Sequence, residues 1–141
     1  MNEENPDSIA QELDAVHREA KEHYRNKNVT GYMHIFTSDL RYKQADGVVI
    51  GRDQLARDVT SQLARVDTAE SSYSRESLQV ANGSVVEHLT QTATVTVRVF
   101  LLFRRTWHVN RRGRYVWVRT PAGWKIREVE VLHERVSSRA T

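Results

Sequence analysis

His17 occupies a position typical of an inward-facing histidine base. It lies between Leu13 and Ala20 in a stretch whose apolar residues recur at helical spacing, so its ring can face the protein interior. Glu87, far away in the sequence, can lie opposite it. A histidine beside a carboxylate can take up and release a proton near neutral pH, as a general base does. The commoner alternative is a buried histidine that bonds to a tyrosine or a backbone carbonyl and has no catalytic role.

The remaining residue types exclude several kinds of chemistry. Cysteine is absent, which excludes disulfides, thiol catalysis and thiolate metal sites. The six histidines include no pair separated by one or by three residues, the spacings at which two imidazoles commonly bind one metal ion. We therefore predict that the protein holds no metal and needs no cofactor.

The last apolar run offers a choice of register and, with it, a second candidate base. Unbroken alternation from Trp124 and Ile126 would bury Glu128 and Glu130. Burying two unpaired carboxylates is costly, whereas a one-residue bulge costs little and is common where sheets curve. We therefore predict a bulge near Arg127 that turns three residues inward: Val129, Val131 and His133.

Periodicity predicts three helices before the sheet. The first carries Ile9, Leu13, Val16, Ala20 and Tyr24 on one face. Thr30 is the predicted cap of a short second helix, and the third follows Gly51, with its apolar face at Leu55, Val59, Leu63 and Val66. A short strand between the second and third helices begins at Asp39 and places three residues on one face: Leu40, Tyr42 and Gln44.

The longest alternating stretch follows the turn dipeptide Asn82-Gly83. One face is aliphatic and is predicted to meet the helices, with Glu87 and Gln91 as polar exceptions on it. The other face carries threonine at positions 90, 92, 94 and 96. Such a face can be solvated or can pair with a second copy of itself, and we favour a two-fold homodimer.

Residues 98–127 include nine Lys or Arg and no Asp or Glu, with tryptophans among them. Such a stretch can bind nucleic acid or another polyanion. Solvated strands also carry arginine for solubility, and the net charge of the chain is only +3, so we favour that interpretation and predict no sequence-specific nucleic-acid binding. The apolar run at 100–103 is predicted to cover a pocket mouth or to extend the dimer contact.

Four short motifs follow one another along these elements: NVTGYMHIF at 28–36, DGVVIGRD at 46–53, VWVR at 116–119 and GWKI at 123–126. Together with the order of helices and strands, they resemble the nuclear-transport-factor-2-like superfamily, in particular its SnoaL-like branch. The resemblance implies an α+β fold, a cystatin-like roll in which a cone-shaped, curved mixed sheet wraps around three N-terminal helices. Members often dimerise through the convex sheet face and include isomerases and dehydratases.

The resemblance also places the functional positions of ketosteroid-isomerase-like members on this chain. Their aspartate general base aligns with Gln44, which cannot take up a proton. Their oxyanion-binding carboxylic acid aligns with Tyr115, whose hydroxyl can still donate a hydrogen bond. Their helix-one tyrosine aligns near Ala20, which has no donor. A proton shuttle of that type is therefore disfavoured, while dehydratase chemistry with a histidine base stays open.

Both faces of the penultimate strand are apolar, with Tyr115 and Trp117 on one and Val116 and Val118 on the other. The residues alone allow either face to point inward, and the resemblance favours the aromatic one. The cone then encloses an apolar pocket lined by Tyr42, Gln44, Gln91, Tyr115, Trp117 and His133. The alternative is that the aromatic side chains simply fill the cone.

Three functional hypotheses follow. The first is a SnoaL-like small-molecule-binding domain that holds a small apolar ligand without strong catalysis. The alternative is a dehydratase or isomerase that acts on a small cyclic or polyketide-like substrate, with His17 or His133 as base and Tyr115 or Tyr42 as donor. The second alternative is an interaction module that uses the basic strands.

Length and composition predict one domain at 1–136 and a frayed tail at 137–141. No apolar run approaches the roughly 18 residues of a membrane span. The start of the chain also lacks the basic and apolar pattern of a secretory signal. We therefore expect a cytoplasmic protein without a membrane partner.

Overall fold

The computed structural model of the protein describes residues 5–100 and 103–140. Within them lie helices α1 (Pro6–Arg25), α2 (Val29–Met33) and α3 (Arg52–Arg65). The strands are β1 (Phe36–Lys43), β2 (Val49–Ile50), β3 (Val66–Ala81), β4 (Ser84–Phe100), β5 (Phe103–Thr120) and β6 (Gly123–Ala140). They form one sheet in the order β2-β1-β6-β5-β4-β3, with β1 parallel to β6 and all other neighbours antiparallel. This confirms the predicted α+β fold with helices against a curved mixed sheet.

Helix α1 begins where the sequence supplies a cap. The side chain of Asn5 accepts a hydrogen bond from the backbone N–H of Asp7 at 2.8 Å, and Pro6 occupies the first helical position. Ile9 and Leu13 on its apolar face are 1% and 0% exposed. The helix therefore lies with this face fixed against the inner side of the sheet, where its polar side chains near that face can meet β3 and β4.

Two element boundaries differ from the sequence prediction. Asn28, and not Thr30, caps α2, because its side chain accepts a hydrogen bond from the backbone N–H of Gly31 at 3.0 Å. Strand β1 begins at Phe36 rather than Asp39, since residue 36 already pairs with β6. The earlier start adds three residues to the strand that carries Tyr42.

The core lies between the helices and the inner face of the sheet. Trp117 is fully buried there and Tyr115 is 7% exposed, so the aromatic face of β5 points inward. In the pairing of β4 with β5, Glu87 lies opposite Tyr115, and Gln91 follows four residues later on the same face. The alternative in which the valines of β5 face the helices is therefore wrong.

The predicted bulge in β6 is present. Residues 126 and 128 pair with consecutive residues of β5, which leaves Arg127 as the extra residue. The bulge turns Val129 and Val131 inward, where they are 2% and 8% exposed. Glu128 and Glu130 are thereby kept out of the core, as the cost of burying two carboxylates requires.

A second bulge, which the sequence did not predict, follows five residues later. Residues 131 and 133 also pair with consecutive residues of β5, which leaves Leu132 as the extra residue. The alternation reverses again, so His133 is exposed and Glu134 turns inward opposite Arg111. The prediction that His133 faces the interior of the cone is therefore wrong. The physical reason is that this register pairs Glu134 with Arg111, a partly buried arginine.

Most of the basic residues of the 98–127 segment have acidic partners from other parts of the fold. The ion pairs join Arg98 and Arg104 to Asp67, Arg111 to Glu134, Arg112 to Glu76, Arg114 to Glu128, and Arg119 to Glu12. Six of the nine basic residues are thus matched with a carboxylate. This balance favours the interpretation of solvated strands over a continuous polyanion-binding surface.

The ends of the long strands reach beyond the predicted domain. Residues 137–139 pair with β5 as part of β6, where the sequence predicted a frayed tail. Leu101 and Leu102, at the centre of the apolar run at 100–103, lie outside the described residues. No helix in the described part of the chain is long and apolar enough to cross a membrane.

Candidate functional site

Polar side chains form two groups on the inner side of the sheet. The first, here called the carboxylate network, consists of Asp14, His17, Tyr73, Arg75, Glu87 and Trp117. The second, here called the arginine cavity, is a space of about 250 Å³ lined by Tyr42, Gln44, Ala45, Asp46, Arg111, Val131 and Glu134. Each group is built from several elements of the fold, so its geometry depends on strand register.

Glu87 is the centre of the carboxylate network. It is 0% exposed, and its carboxylate accepts hydrogen bonds from His17 Nε2, Trp117 Nε1 and Arg75 Nε, each at 2.9 Å. Burial alone would raise the pKa of Glu87, but these bonds outweigh it and hold the pKa below its usual range. The side chain is therefore a buried carboxylate whose charge is compensated on both oxygens.

Arg75 connects this buried carboxylate to a second, more exposed one. Its Nη2 lies 2.8 Å from Glu87 Oε2 and donates to Asp14 Oδ1 at 2.7 Å, and the Tyr73 hydroxyl donates to the same Asp14 oxygen. Burial would raise the pKa of Asp14, yet the bonds from Tyr73 and Arg75 lower it overall. The network thus joins α1 to β3 and β4 through charged hydrogen bonds.

His17 has the arrangement of a histidine–carboxylate pair but is enclosed. A carboxylate can only accept, so the Nε2 bonded to Glu87 carries a proton and Nδ1 is the atom that can accept one. The side chain is 8% exposed, and its ring centroid lies 4.5 Å from that of Tyr73 and 5.3 Å from that of Trp117. His17 and Glu87, which were predicted to lie opposite each other, are therefore in contact. The rings of Tyr73 and Trp117 cover the imidazole.

Arg111 is the central cation of the arginine cavity. Its Nε and Nη2 lie 2.7 and 2.6 Å from Glu134 Oε2, and its Nη1 donates to the Tyr42 hydroxyl at 3.4 Å. Burial would lower the pKa of Arg111, but Tyr42 and Glu134 raise it overall, so the guanidinium stays charged. Burial also raises the pKa of Tyr42, which keeps its hydroxyl a donor at neutral pH.

Tyr115 and Gln91 lie along the strands between the two groups. The Tyr115 hydroxyl donates to Gln91 Oε1 at 2.8 Å, and burial raises its pKa. The ring covers Gly113, where a Cβ atom would come within 2.9 Å of it. The absence of a side chain at Gly113 therefore allows Tyr115 to reach Gln91, and this pair forms part of the wall of the cone.

The structure separates the six predicted pocket residues. Tyr42 and Gln44 line the arginine cavity, Gln91 and Tyr115 bond to each other, Trp117 belongs to the carboxylate network, and His133 is exposed. The lining of the cavity is also more polar than predicted, since only Ala45 and Val131 in it are aliphatic.

Arg111 and Glu134 are the lining residues that sequence reasoning missed. The alternation that places Tyr115 and Trp117 inward also places Arg111 inward, because positions 111, 113, 115 and 117 share one face of an unbroken strand. The inward position of Arg111 therefore follows from the sequence once Tyr115 and Trp117 are assigned to the inner face of β5. Glu134 had no comparable signal, since its inward position depends on the bulge at Leu132.

Among residues 5–100 and 103–140, no group of three or more His, Asp and Glu side chains is placed to hold a metal ion. The carboxylates of the network are instead occupied by Arg75, Tyr73, His17 and Trp117. Both groups supply hydrogen-bond donors and acceptors, and the first also contains His17, which can take part in proton transfer.

Solved structures share this fold at low sequence identity. A candidate scytalone dehydratase from Novosphingobium aromaticivorans has a TM-score of 0.78 over 95% of this chain and 87% of its own, at 11% identity. A conserved protein from Planctomyces limnophilus has a TM-score of 0.77 over 87% and 94%, at 14% identity. A candidate dehydratase of the NTF2-like family from Streptomyces avermitilis has a TM-score of 0.73 over 90% and 97%, at 13% identity.

Sequence comparison does not assign the chain to a family. No protein-family model matches the chain, and no curated protein matches it. A shared fold supports many unrelated activities, so the fold alone does not give the function of this chain.

Proposed function

We propose that this chain, which has the nuclear-transport-factor-2-like fold, is a small-molecule-binding protein whose ligand occupies the arginine cavity. The observation that carries the proposal is the convergence of three donors on one cavity: Tyr42 from β1, Gln44 from the turn after it, and Arg111 from β5. Ligand sites are typically concave and contain a few polar groups in fixed positions, which this arrangement provides.

The donors are available to a ligand. Arg111 Nη1 makes only a long contact of 3.4 Å to the Tyr42 oxygen, and that contact leaves the phenolic hydrogen free to point elsewhere. An oxygen atom of a ligand can therefore accept from the tyrosine hydroxyl and from the guanidinium together. Such bonds are stronger in a partly enclosed site than in water.

The size and lining of the cavity limit the ligand. A volume of about 250 Å³ lies just below the range of roughly 300 to 1,000 Å³ of typical ligand pockets. An apolar cavity of about 150 Å³ can hold benzene. A single-ring molecule therefore fits the cavity, and the polar lining favours one that carries an oxygen acceptor over a purely apolar one.

The variant Tyr42→Phe tests this assignment, because it removes one donor and keeps the ring. Binding of single-ring carbonyl compounds such as benzamide and cyclohexanone is measured by calorimetry or ligand-observed NMR. One net hydrogen bond is worth about 1 kcal/mol, so the dissociation constant should rise about fivefold. Gln44→Ala should likewise weaken binding and leave thermal stability nearly unchanged.

Tyr73→Phe is the matched control, since it removes a phenolic hydroxyl from the carboxylate network instead of the cavity. Its affinity for the same compounds should equal that of the unmodified protein. Equal weakening by Tyr42→Phe and Tyr73→Phe, or no weakening by Tyr42→Phe, would show that the ligand lies elsewhere.

The alternative function is a cofactor-free dehydratase or isomerase that uses His17 as its base. The observation that favours it is the bond between His17 and buried Glu87, the arrangement that orients an imidazole for proton transfer. Two of the structurally similar proteins are named as candidate dehydratases. Against it stand the enclosure of the ring and the position of the arginine cavity, whose lining does not include His17.

Deuterium exchange separates the binder from the enzyme. A histidine base that reached a ligand would accelerate exchange of the α-protons of cyclohexanone in D₂O, and His17→Asn would abolish the acceleration. We expect the unmodified protein to exchange these protons no faster than buffer does. Exchange that is fast and lost in a folded His17→Asn variant would establish the enzyme.

Three further predictions accompany the proposal. Homodimerisation through the outer threonine face is supported by the exposure of Thr92 and Thr94 there, and sedimentation of the purified protein measures it. The cytoplasmic location stays a prediction. So does the absence of sequence-specific nucleic-acid binding, which the acidic partners of the basic strands support.

A further inference from the structure

We propose that Glu134 makes the arginine cavity selective for neutral ligands that place a hydrogen-bond donor next to an acceptor, such as a primary amide, and that it excludes carboxylates. This inference rests on the proposed function of the cavity and specifies the chemical class of its ligand. It follows from how Glu134 binds Arg111, from the donors that remain, and from the charge of the lining.

Glu134 occupies the Nε–Nη2 side of the Arg111 guanidinium through a single oxygen. Both Nε and Nη2 of Arg111 meet Oε2, at 2.7 and 2.6 Å. Among the described residues, none donates a hydrogen bond to Oε1 of Glu134. The internal carboxylate therefore takes the Nε–Nη2 side on which a ligand carboxylate could bind through two hydrogen bonds, and it keeps one acceptor oxygen on a residue that lines the cavity.

The hydrogen-bond donors of the cavity match an acceptor on the ligand. Arg111 Nη1 and the Tyr42 hydroxyl can both donate to one ligand oxygen, as their 3.4 Å separation brings them together. A primary amide carries an accepting oxygen and a donating nitrogen on one carbon. Its oxygen matches this donor pair, and its N–H matches the acceptor on Glu134.

The charge of the residues that line the cavity also disfavours a carboxylate ligand. The charged lining residues are one arginine and two acids, because Asp46 lies there with Glu134. Asp46 Oδ1 accepts a hydrogen bond from the backbone N–H of Val48 at 2.9 Å, which fixes it in the turn after β1. A carboxylate ligand would add a third negative charge around a single guanidinium, and such like-charge contacts are strongly disfavoured.

Benzamide and benzoate test the inference, because they have nearly the same size and differ in charge. Their dissociation constants are measured by calorimetry at neutral pH, where benzoate is ionised. For the unmodified protein we expect benzamide to bind at least about tenfold more tightly than benzoate. Glu134→Gln releases Arg111 from its internal anion and should reverse this preference by making benzoate the tighter ligand.

Glu130→Gln is the matched control. Glu130 lies on the same strand, pairs with Lys43 at 3.6 Å and is on the outer side of the sheet, so the variant removes one negative charge without touching the cavity. It should keep the preference of the unmodified protein. Thermal melts of all three proteins show whether each is folded.

The outcomes separate the inference from the proposed function. Benzoate that binds the unmodified protein as tightly as benzamide overturns the inference and needs no variant to do so. A folded Glu134→Gln protein that gains no benzoate affinity overturns it as well. If the unmodified protein binds neither compound while Glu134→Gln binds benzoate, the exclusion of carboxylates by Glu134 stands and the proposed ligand-binding function fails.

Discussion

Glu87→Ala should lower the free energy of unfolding by about 3 to 5 kcal/mol, because removing one partner of a buried ion pair leaves the other uncompensated. Glu87 is fully buried and accepts bonds from Arg75, His17 and Trp117. Alanine would leave the Arg75 Nε–H and two ring N–H groups without their acceptor. Chemical denaturation monitored by far-ultraviolet circular dichroism measures the loss.

Glu76→Ala is the control for that experiment. Glu76 also bonds to an arginine and a threonine, Arg112 and Thr90, but on the outer face of the sheet, where water can replace it. Its loss should be much smaller than that of Glu87→Ala. Similar small losses from the two variants would contradict a central role for the carboxylate network in the fold.

The lowered pKa of Glu87 also predicts how the stability of the protein depends on pH. A carboxyl whose pKa is lower in the folded than in the unfolded protein stabilises the fold fully above its unfolded value, near 4.5. That contribution is lost as the pH falls from there through the lowered pKa. Stability should therefore decline in this acidic range for the unmodified protein, and less steeply for Glu87→Gln.

Trp117→Ala should also destabilise the protein by about 3 to 5 kcal/mol, the usual effect of deleting a fully buried aromatic side chain. Trp117 is 0% exposed, and its indole N–H donates to Glu87 at 2.9 Å. The variant therefore creates a void beside the network and removes one of its donors. Equilibrium unfolding in urea gives the difference, and Trp117→Phe separates the lost volume from the lost hydrogen bond.

Trp107→Ala is the comparison for Trp117→Ala. Trp107 is partly exposed near the far end of β5, where the Arg105 guanidinium lies 5.8 Å from its ring centroid. Part of its side chain remains in contact with water, so its removal should be tolerated better. A loss for Trp107→Ala as large as that for Trp117→Ala would mean that the core extends further along the strands than burial indicates.

The inward position of Glu87 could be predicted from sequence because β4 alternates cleanly. Its aliphatic residues define one face, and period-two geometry then assigns Glu87 and Gln91 to it regardless of their polarity. Strand β5 was harder, because apolar residues occupy both of its faces. Val116 on the outer side is only 5% exposed, so hydrophobicity alone does not distinguish the two faces.

The arginine cavity could be predicted only in part. Tyr42 and Gln44 follow from the alternation of β1, whereas Glu134 requires the bulge at Leu132. Nothing local signals that bulge, since Val131 and Leu132 are both aliphatic although Val131 is 8% exposed and Leu132 is 43% exposed. The ion pair that favours this register joins residues 23 positions apart, so it appears only when β5 and β6 are aligned.

Each of the two bulges of β6 adds one residue to the strand and so reverses the phase in which its side chains alternate. The bulge at Arg127 changes which residues face inward, and the bulge at Leu132 restores the original phase, so only residues 128–131 are read in the shifted phase. Deleting either bulged residue alone would remove that bulge and leave the pairing of every later residue with β5 unchanged, Glu134 included. Deleting both would leave a regularly alternating strand with the same inward side chains, so the two extra residues lengthen β6 without changing which of its other residues face the core.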